Sequence, residues 1–399
     1  MKNKSVYVLL AIGLCFIVNS SYARIKLITL PVREKVMIQL ENPQTTIIEE
    51  ERIVPLKKGF NDIDFSWHNT SIRADTIVFR FLDNKDGLKT NVLSVSYPPN
   101  ESALTWKVSA NKNGSARAKI TYAINRLDKN YQYIARSNND ETEMNLSQSI
   151  KVINSTGEEY LDAFLDTGKE NSLNLPLGLN ETQEFINHQF KSIPIEKSYT
   201  VNAAELGYRN RAQDKLNVLM HYHIFNDAQH SLGKYPLAPG KVRIYQKDKN
   251  GTLVFVGEDW AKYTGRQGEA KLYIGQARDI VVKRIIEQKK RQRINGNLYN
   301  IDVVVKYEIE NFKDKSLNLI IEESLPHLRN EVYSAYRSAP HNQTIEWRVN
   351  SKTNFNHKPL KKLTNSQKIA YEVTLPARLR DENVSKLEKK LNITFKNEW

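Results

Sequence analysis

The chain has 399 residues, with 59 Lys and Arg against 45 Asp and Glu, for a formal charge of +14. Its 40% hydrophobic and 26% charged content is that of a folded globular protein with ample material for cores, and the length allows two or three domains of roughly 100–200 residues. No apolar run beyond the N-terminal one approaches the roughly 20 residues needed to span a bilayer, which excludes a further membrane helix.

The chain opens on a leader pattern. Lys2 and Lys4 precede an apolar run from Val6 to Val18, and Ser21-Tyr22-Ala23 offers the small residues of a cleavage site. The pattern predicts a signal peptide over residues 1–23 and an exported chain beginning at Arg24. The only cysteine, Cys15, lies inside the leader behind Leu14, which is too large for a lipidation site. The mature chain is then free of disulfides, thiolate metal sites and cysteine nucleophiles. Loss of Lys2 and Lys4 leaves a charge of +12, which suits contact with phosphorylated lipid or acidic polysaccharide. An exported chain has no call to bind nucleic acid.

Strand and turn signals follow in order. An N-terminal β region over 24–100 contains Lys35–Leu40, Thr45–Val54, a Gly59 turn leading into Phe60–Phe65, and Thr76–Phe81. The pair Asp86-Gly87 reads as a hairpin turn before Val92–Tyr97, which Pro98-Pro99 stops. A middle region over 101–192 has Leu104–Val108, an Asn113-Gly114 hairpin turn leading to Ala116–Ile124, and Ser147–Ile153. Its tail, 168–192, reads as a linker. A C-terminal region over 193–399 holds Leu216–Phe225, three strand-like runs within 237–284, an Asn295-Gly296 hairpin and Ile301–Ile309. Strands at Asn318–Glu322, Thr344–Val349 and Ile369–Leu375 continue it. Val384, Leu387 and Leu391 predict one short helix over 382–391. The sum is an all-β protein of two or three antiparallel domains, the C-terminal one a β-sandwich. Neither a βαβ alternation nor a heptad run occurs.

Residues 237–284 have the most definite pattern. They read Leu237-Ala-Pro-Gly-Lys-Val-Arg-Ile-Tyr-Gln246, then Asn250-Gly251, Val256-Gly-Glu-Asp259, Gly268-Glu269, Ile274-Gly275 and Ala277-Arg-Asp279, with Arg284. This stretch resembles the bacterial domain-of-unknown-function family 4139, whose longer relatives carry the name mucoidy inhibitor A. Weaker likeness extends over Arg33–Phe81, Ala103–Thr167 with its Asn154-Ser-Thr-Gly157 turn, Leu317–Pro326 and Ile345–Val349. The coiled-coil insertion of the longer relatives is missing here. The resemblance implies an exported, β-rich, envelope-associated protein and carries over no catalytic residue.

The motif has its own physical reading. Val242, Ile244 and Gln246 share one strand face, and Arg243 and Tyr245 the other. Asn250-Gly251 suits a two-residue turn with positive φ at both positions, and Gly257 a bulge or close backbone approach. Arg243, Tyr245, Glu258, Asp279 and Arg284 are the candidate ligand surface if they converge; scattered or paired in the core, they serve folding.

Other candidates are weaker. His221 and His223 are two apart and share a strand face, so they are candidate zinc ligands, with His230 or His188 as a third. The pairs Glu258-Asp259 and Glu322-Glu323 point apart on an extended chain and do not suit acid/base work. Asp83–Gly87 lacks most of a calcium loop. The run 283–293 holds Lys283, Arg284, Lys289, Lys290, Arg291 and Arg293 beside the Asn295-Gly296 turn. Lys289, Lys290, Arg291 and Arg293 are the candidate anionic-surface contact. The function expected is an exported, envelope-associated, non-enzymatic binding or scaffolding protein without cofactors. Its partner would be an envelope protein or an anionic glycan or lipid surface. The alternative is a hydrolase or metal-dependent enzyme acting on envelope polymer.

Overall fold

The computed structural model describes residues 27–42, 44–82, 87–168, 173–203, 215–333, 344–355 and 358–398. Strand makes up 61% and helix 5%, so the all-β expectation holds. Among the described residues no helix is long and apolar enough to cross a membrane. The chain forms two compact units. One takes the residues up to Asn130 and Lys151–Glu184; the other takes Tyr131–Ile150 and the residues from Phe185 onward.

The first unit begins with β1 (Leu27–Thr29), β2 (Lys35–Gln39), β3 (Thr46–Leu56), β4 (Gly59–Ser66), β5 (Val78–Phe81), β6 (Thr90–Ser96), β7 (Ala103–Ala110) and β8 (Gly114–Ile124). Then β9 (Leu127–Ser137) and β10 (Glu143–Asn154) start in one unit and end in the other, before β11 (Ala163–Asp166) and β12 (Leu173–Asn174). The sheets run β1-β4-β7-β6 and β12-β11-β2-β3-β8-β5. Alternating residues face inward, and Phe65 stacks on Trp106 and lies near Tyr122. Glu50, in the middle of β3, is fully buried and is held by Arg33 and Arg52.

The second unit adds β13 (Thr182–Pro194), which starts in the first, then β14 (Glu196–Asn202), β15 (Leu219–Phe225), β16 (Gly240–Lys247), β17 (Leu253–Ala261) and β18 (Glu269–Gln276). After β19 (Ile280–Asn295), β20 (Leu298–Asn311) and β21 (Leu317–Ser324) comes α1 (Leu325–Val332), then β22 (Glu346–Val349), β23 (Lys368–Leu375) and β24 (Ser385–Glu398). The sheets run β13-β10-β9-β16-β17, β18-β15-β14-β21-β23 and β19-β20-β24-β22. One face of the middle sheet serves two cores. Tyr222, Ile224, Leu272 and Ile274 meet Tyr133, Met144, Val242 and Ile244. Tyr199, Val201, Leu319 and Val373 meet Val303, Val305, Ile393 and Phe395. Period-two alternation turns Ser198, Thr200, His221 and His223 to the opposite face.

Several local expectations give way. Asn113-Gly114 is no hairpin turn: β7 pairs with β4 and β6, whereas β8 pairs with β3 and β5, so the chain crosses between sheets there. Residues 382–391 form no helix, since β24 runs through them and pairs with β20 from Ser385 to Glu398. Long-range pairing outweighs a local three-and-four spacing. The 168–192 stretch contributes β12 and most of β13. Among the described residues β1 runs parallel to β4, β2 to β11, β9 to β16 and β14 to β21. Asp86 of the expected Asp86-Gly87 turn, and the 83–86 part of the calcium-like stretch, lie outside the described residues.

Candidate functional site

The motif residues do not all converge. On β16 and β17, Arg243 lies opposite Glu258 in register, and Tyr245 meets the Phe255 ring edge-on. Glu258 is paired with Lys241 at 2.9 Å, and Trp260 stands 62% exposed beside them. Val242 and Ile244 face the core as expected. The turn differs from expectation. Of Asn250 and Gly251 only Gly251 has positive φ, at 82°, and Asp248 Oδ1 accepts from the Asn250 and Thr252 N–H groups. This is a longer loop with a left-handed Gly at its end. Gly257 does sit at a bulge, because the register slips between Ile244 and Tyr245. Gly240 is required by close approach: a Cβ there would lie 2.2 Å from the Tyr131 carbonyl oxygen.

Asp279 and Arg284 are elsewhere. Asp279 pairs with Lys313 at 3.0 Å. Arg284 is buried between Glu323 and Glu331, at 2.8 and 2.7 Å, and Tyr307 donates its hydroxyl to Glu323. Burial opposes the charge on Arg284, but Glu323 outweighs it and raises the pKa. Three of the five residues therefore share a hairpin, one is on a loop, and Arg284 belongs to a core. Glu322 and Glu323 point apart, Glu322 toward Lys368.

The basic run lies on β19, an edge strand whose residues 287–295 are all exposed. Lys289, Arg291 and Arg293 stand opposite Val303, Ile301 and Tyr299, and Lys290 opposite Asp302. Arg291 packs over the Tyr299 ring at 4.8 Å, and Arg293 donates to the Gly296 carbonyl. Among the described residues neither Lys289 nor Lys290 has an acidic partner. Gly296, with φ of 52°, turns the chain into β20.

The histidines occupy the polar face of the middle sheet. His223 Nε2 is 2.7 Å from Ser198 Oγ, and its Nδ1 contacts Glu269 Oε1, so both ring nitrogens are engaged. His221 stands opposite Ser198 in register. Its Nδ1 is buried and, among the described residues, without a hydrogen-bond partner. Burial, then Lys271, push its pKa down to about 4, so the ring is neutral at pH 7. His230 is occupied by Asp227 at 2.6 Å, and His188 stacks on Phe190 and lies tilted against Tyr235. Among the described residues no group of three or more His, Cys, Asp or Glu converges as a metal site. Ser198 carries no motif and Glu269 enters only through the Gly268-Glu269 pair, since a contact across three strands leaves no spacing signal.

An open cavity of about 580 Å³ in the first unit is lined by Gln44, Thr46, Arg126, Asp128, Lys129 and Asn130 among others. Burial lowers the Lys129 pKa to about 8, and its ammonium donates to the Thr45 carbonyl. None of the residues singled out from the sequence lines it.

Comparison with protein-family models and with curated proteins returns no match to the chain.

Proposed function

We propose that the chain is an exported binding protein of the cell envelope and that it holds anionic surfaces through β19. The observation that carries this reading is the basic strand. Four cations stand on a fully exposed stretch at a sheet edge, and neither Lys289 nor Lys290 has an acidic partner among the described residues. Cations without local partners keep their charge for an outside one, and several acting together attract an anionic surface where one would not. The charge of +12 left after loss of Lys2 and Lys4 and the leader pattern of residues 1–23 support the same reading, as does the likeness to the envelope-associated family.

The test uses purified protein with anionic phospholipid vesicles, neutral vesicles and an acidic polysaccharide column. Retention on one anionic phase, lost between about 0.05 and 0.5 M salt, is expected, because screening shortens the reach of surface charge. The variant K289E/K290E/R291E/R293E should elute with the neutral control. Wild-type retention by that variant would sink the assignment to β19. The two anionic phases separate lipid from glycan.

A further inference from the structure

Ser198, His223 and Glu269 sit on the neighbouring strands β14, β15 and β18. The hydroxyl reaches His223 Nε2 at 2.7 Å and the carboxylate meets Nδ1 on the other side of the ring. A base within hydrogen-bond reach of a hydroxyl, itself oriented by a third group, is how serine is made a nucleophile. The Glu269 carboxylate favours the proton on Nδ1, which leaves the Nε2 lone pair facing the Ser198 hydroxyl. The group is reachable from solvent: the Glu269 side chain is 45% exposed and that of His223 17%.

A fourth residue completes the arrangement. His221 is the direct cross-strand neighbour of Ser198, and such pairs have Cβ atoms about 4.5–5.5 Å apart. Being neutral, its imidazole has one N–H to give, and a neutral imidazole donor can stabilise an oxyanion. Among the described residues its buried Nδ1 has no hydrogen-bond partner, which a merely structural histidine would not be expected to tolerate.

We propose that Ser198, His223 and Glu269 form a nucleophilic triad that hydrolyses carboxylic esters, with His221 beside the developing oxyanion. Ser198 Oγ bonds to the ester carbonyl carbon as its proton passes to His223 Nε2. Collapse of the adduct breaks the bond to the alcohol oxygen, which takes that proton and leaves. Water then adds to the acyl-serine, passing a proton through His223, and the carboxylic acid departs with the Ser198 hydroxyl restored. Water is the only co-reactant. Glu269 acts through His223 as a positioning residue.

The experiment uses the mature chain with p-nitrophenyl acetate as substrate and a fluorophosphonate probe whose adduct is mapped by mass spectrometry. One label per chain, on Ser198, is expected. Turnover should fall by about 100-fold or more in Ser198→Ala and in His223→Asn. Glu269→Gln should lower kcat by about tenfold with KM little changed, and Glu269→Asp should restore part of it. Ser198→Cys should exchange fluorophosphonate labelling for alkylation by iodoacetamide, on the sole thiol of the mature chain. Labelling elsewhere, no labelling, or equal turnover by Ser198→Ala with unchanged circular dichroism overturns the proposal. Ser198→Ala should still bind anionic vesicles as the wild type does, so the fate of the β19 reading is scored separately.

Discussion

Arg284 illustrates how far a single residue can be read. Its place in a recognisable motif suggested a ligand surface, yet its side chain is 4% exposed and fixed by Glu323 and Glu331. Nothing in the run Lys283-Arg284 distinguishes a core arginine from a surface one; its acidic partners lie 39 and 47 positions away. Removing one partner of a buried pair strands the other. Arg284→Met should cost about 3–5 kcal/mol in denaturant unfolding, and R284M/E323L should regain most of that. A loss under about 1 kcal/mol for the single variant would show that the pair contributes little. His221 supplies the pH argument. Its pKa in the fold, about 4, lies below the ordinary 6.5. The unfolded chain binds its proton first, so this contribution is full above about 6.5 and declines as pH falls toward about 4. Urea midpoints measured from pH 7 to 4 should fall less steeply for His221→Gln than for wild type. Identical slopes would remove His221 from the acid response.

Elements were legible where one face is core and the other is not. Alternation in β16 puts Val242 and Ile244 inside and Arg243 outside, as the sequence implies. The same logic fails for β24, where Val384, Leu387 and Leu391 mimic a helix face while pairing with β20 decides the outcome. The α1 helix went unread, although Ser324 caps it and Pro326 stands in its first turn. The edge strand β19 has a second consequence. Its outer backbone is a template for another strand, and exposed lysine and arginine discourage such pairing. Replacing Lys290 and Gln292 with Val should promote association, seen as a concentration-dependent rise in light scattering. A monomer at every concentration would show that these side chains do not guard the edge. Gly240 tests close approach on β16, where a methyl group would meet the Tyr131 carbonyl oxygen at 2.2 Å. Gly240→Ala should lower the thermal midpoint by more than Gly251→Ala, which meets no heavy atom within 4 Å but must hold a positive φ.

At the scale of the whole molecule, strand content and fold class follow from patterning, while the division into units does not. Local signals mark where strands end; they do not say that residues 131–150 join the unit that resumes at Phe185 while 151–184 return to the other. The candidate triad has the same origin, because its members come from three strands that only pairing brings side by side. The sheet β13-β10-β9-β16-β17 carries a consequence in time. During synthesis β9 and β10 emerge early as a hairpin, but the second partner of β9 is β16, and Ser137 meets Tyr245 across 108 residues. One edge of β9 therefore waits, sticky and incomplete, while the next hundred residues are made. The β9–β16 pairing therefore stays open until nearly two thirds of the chain exists.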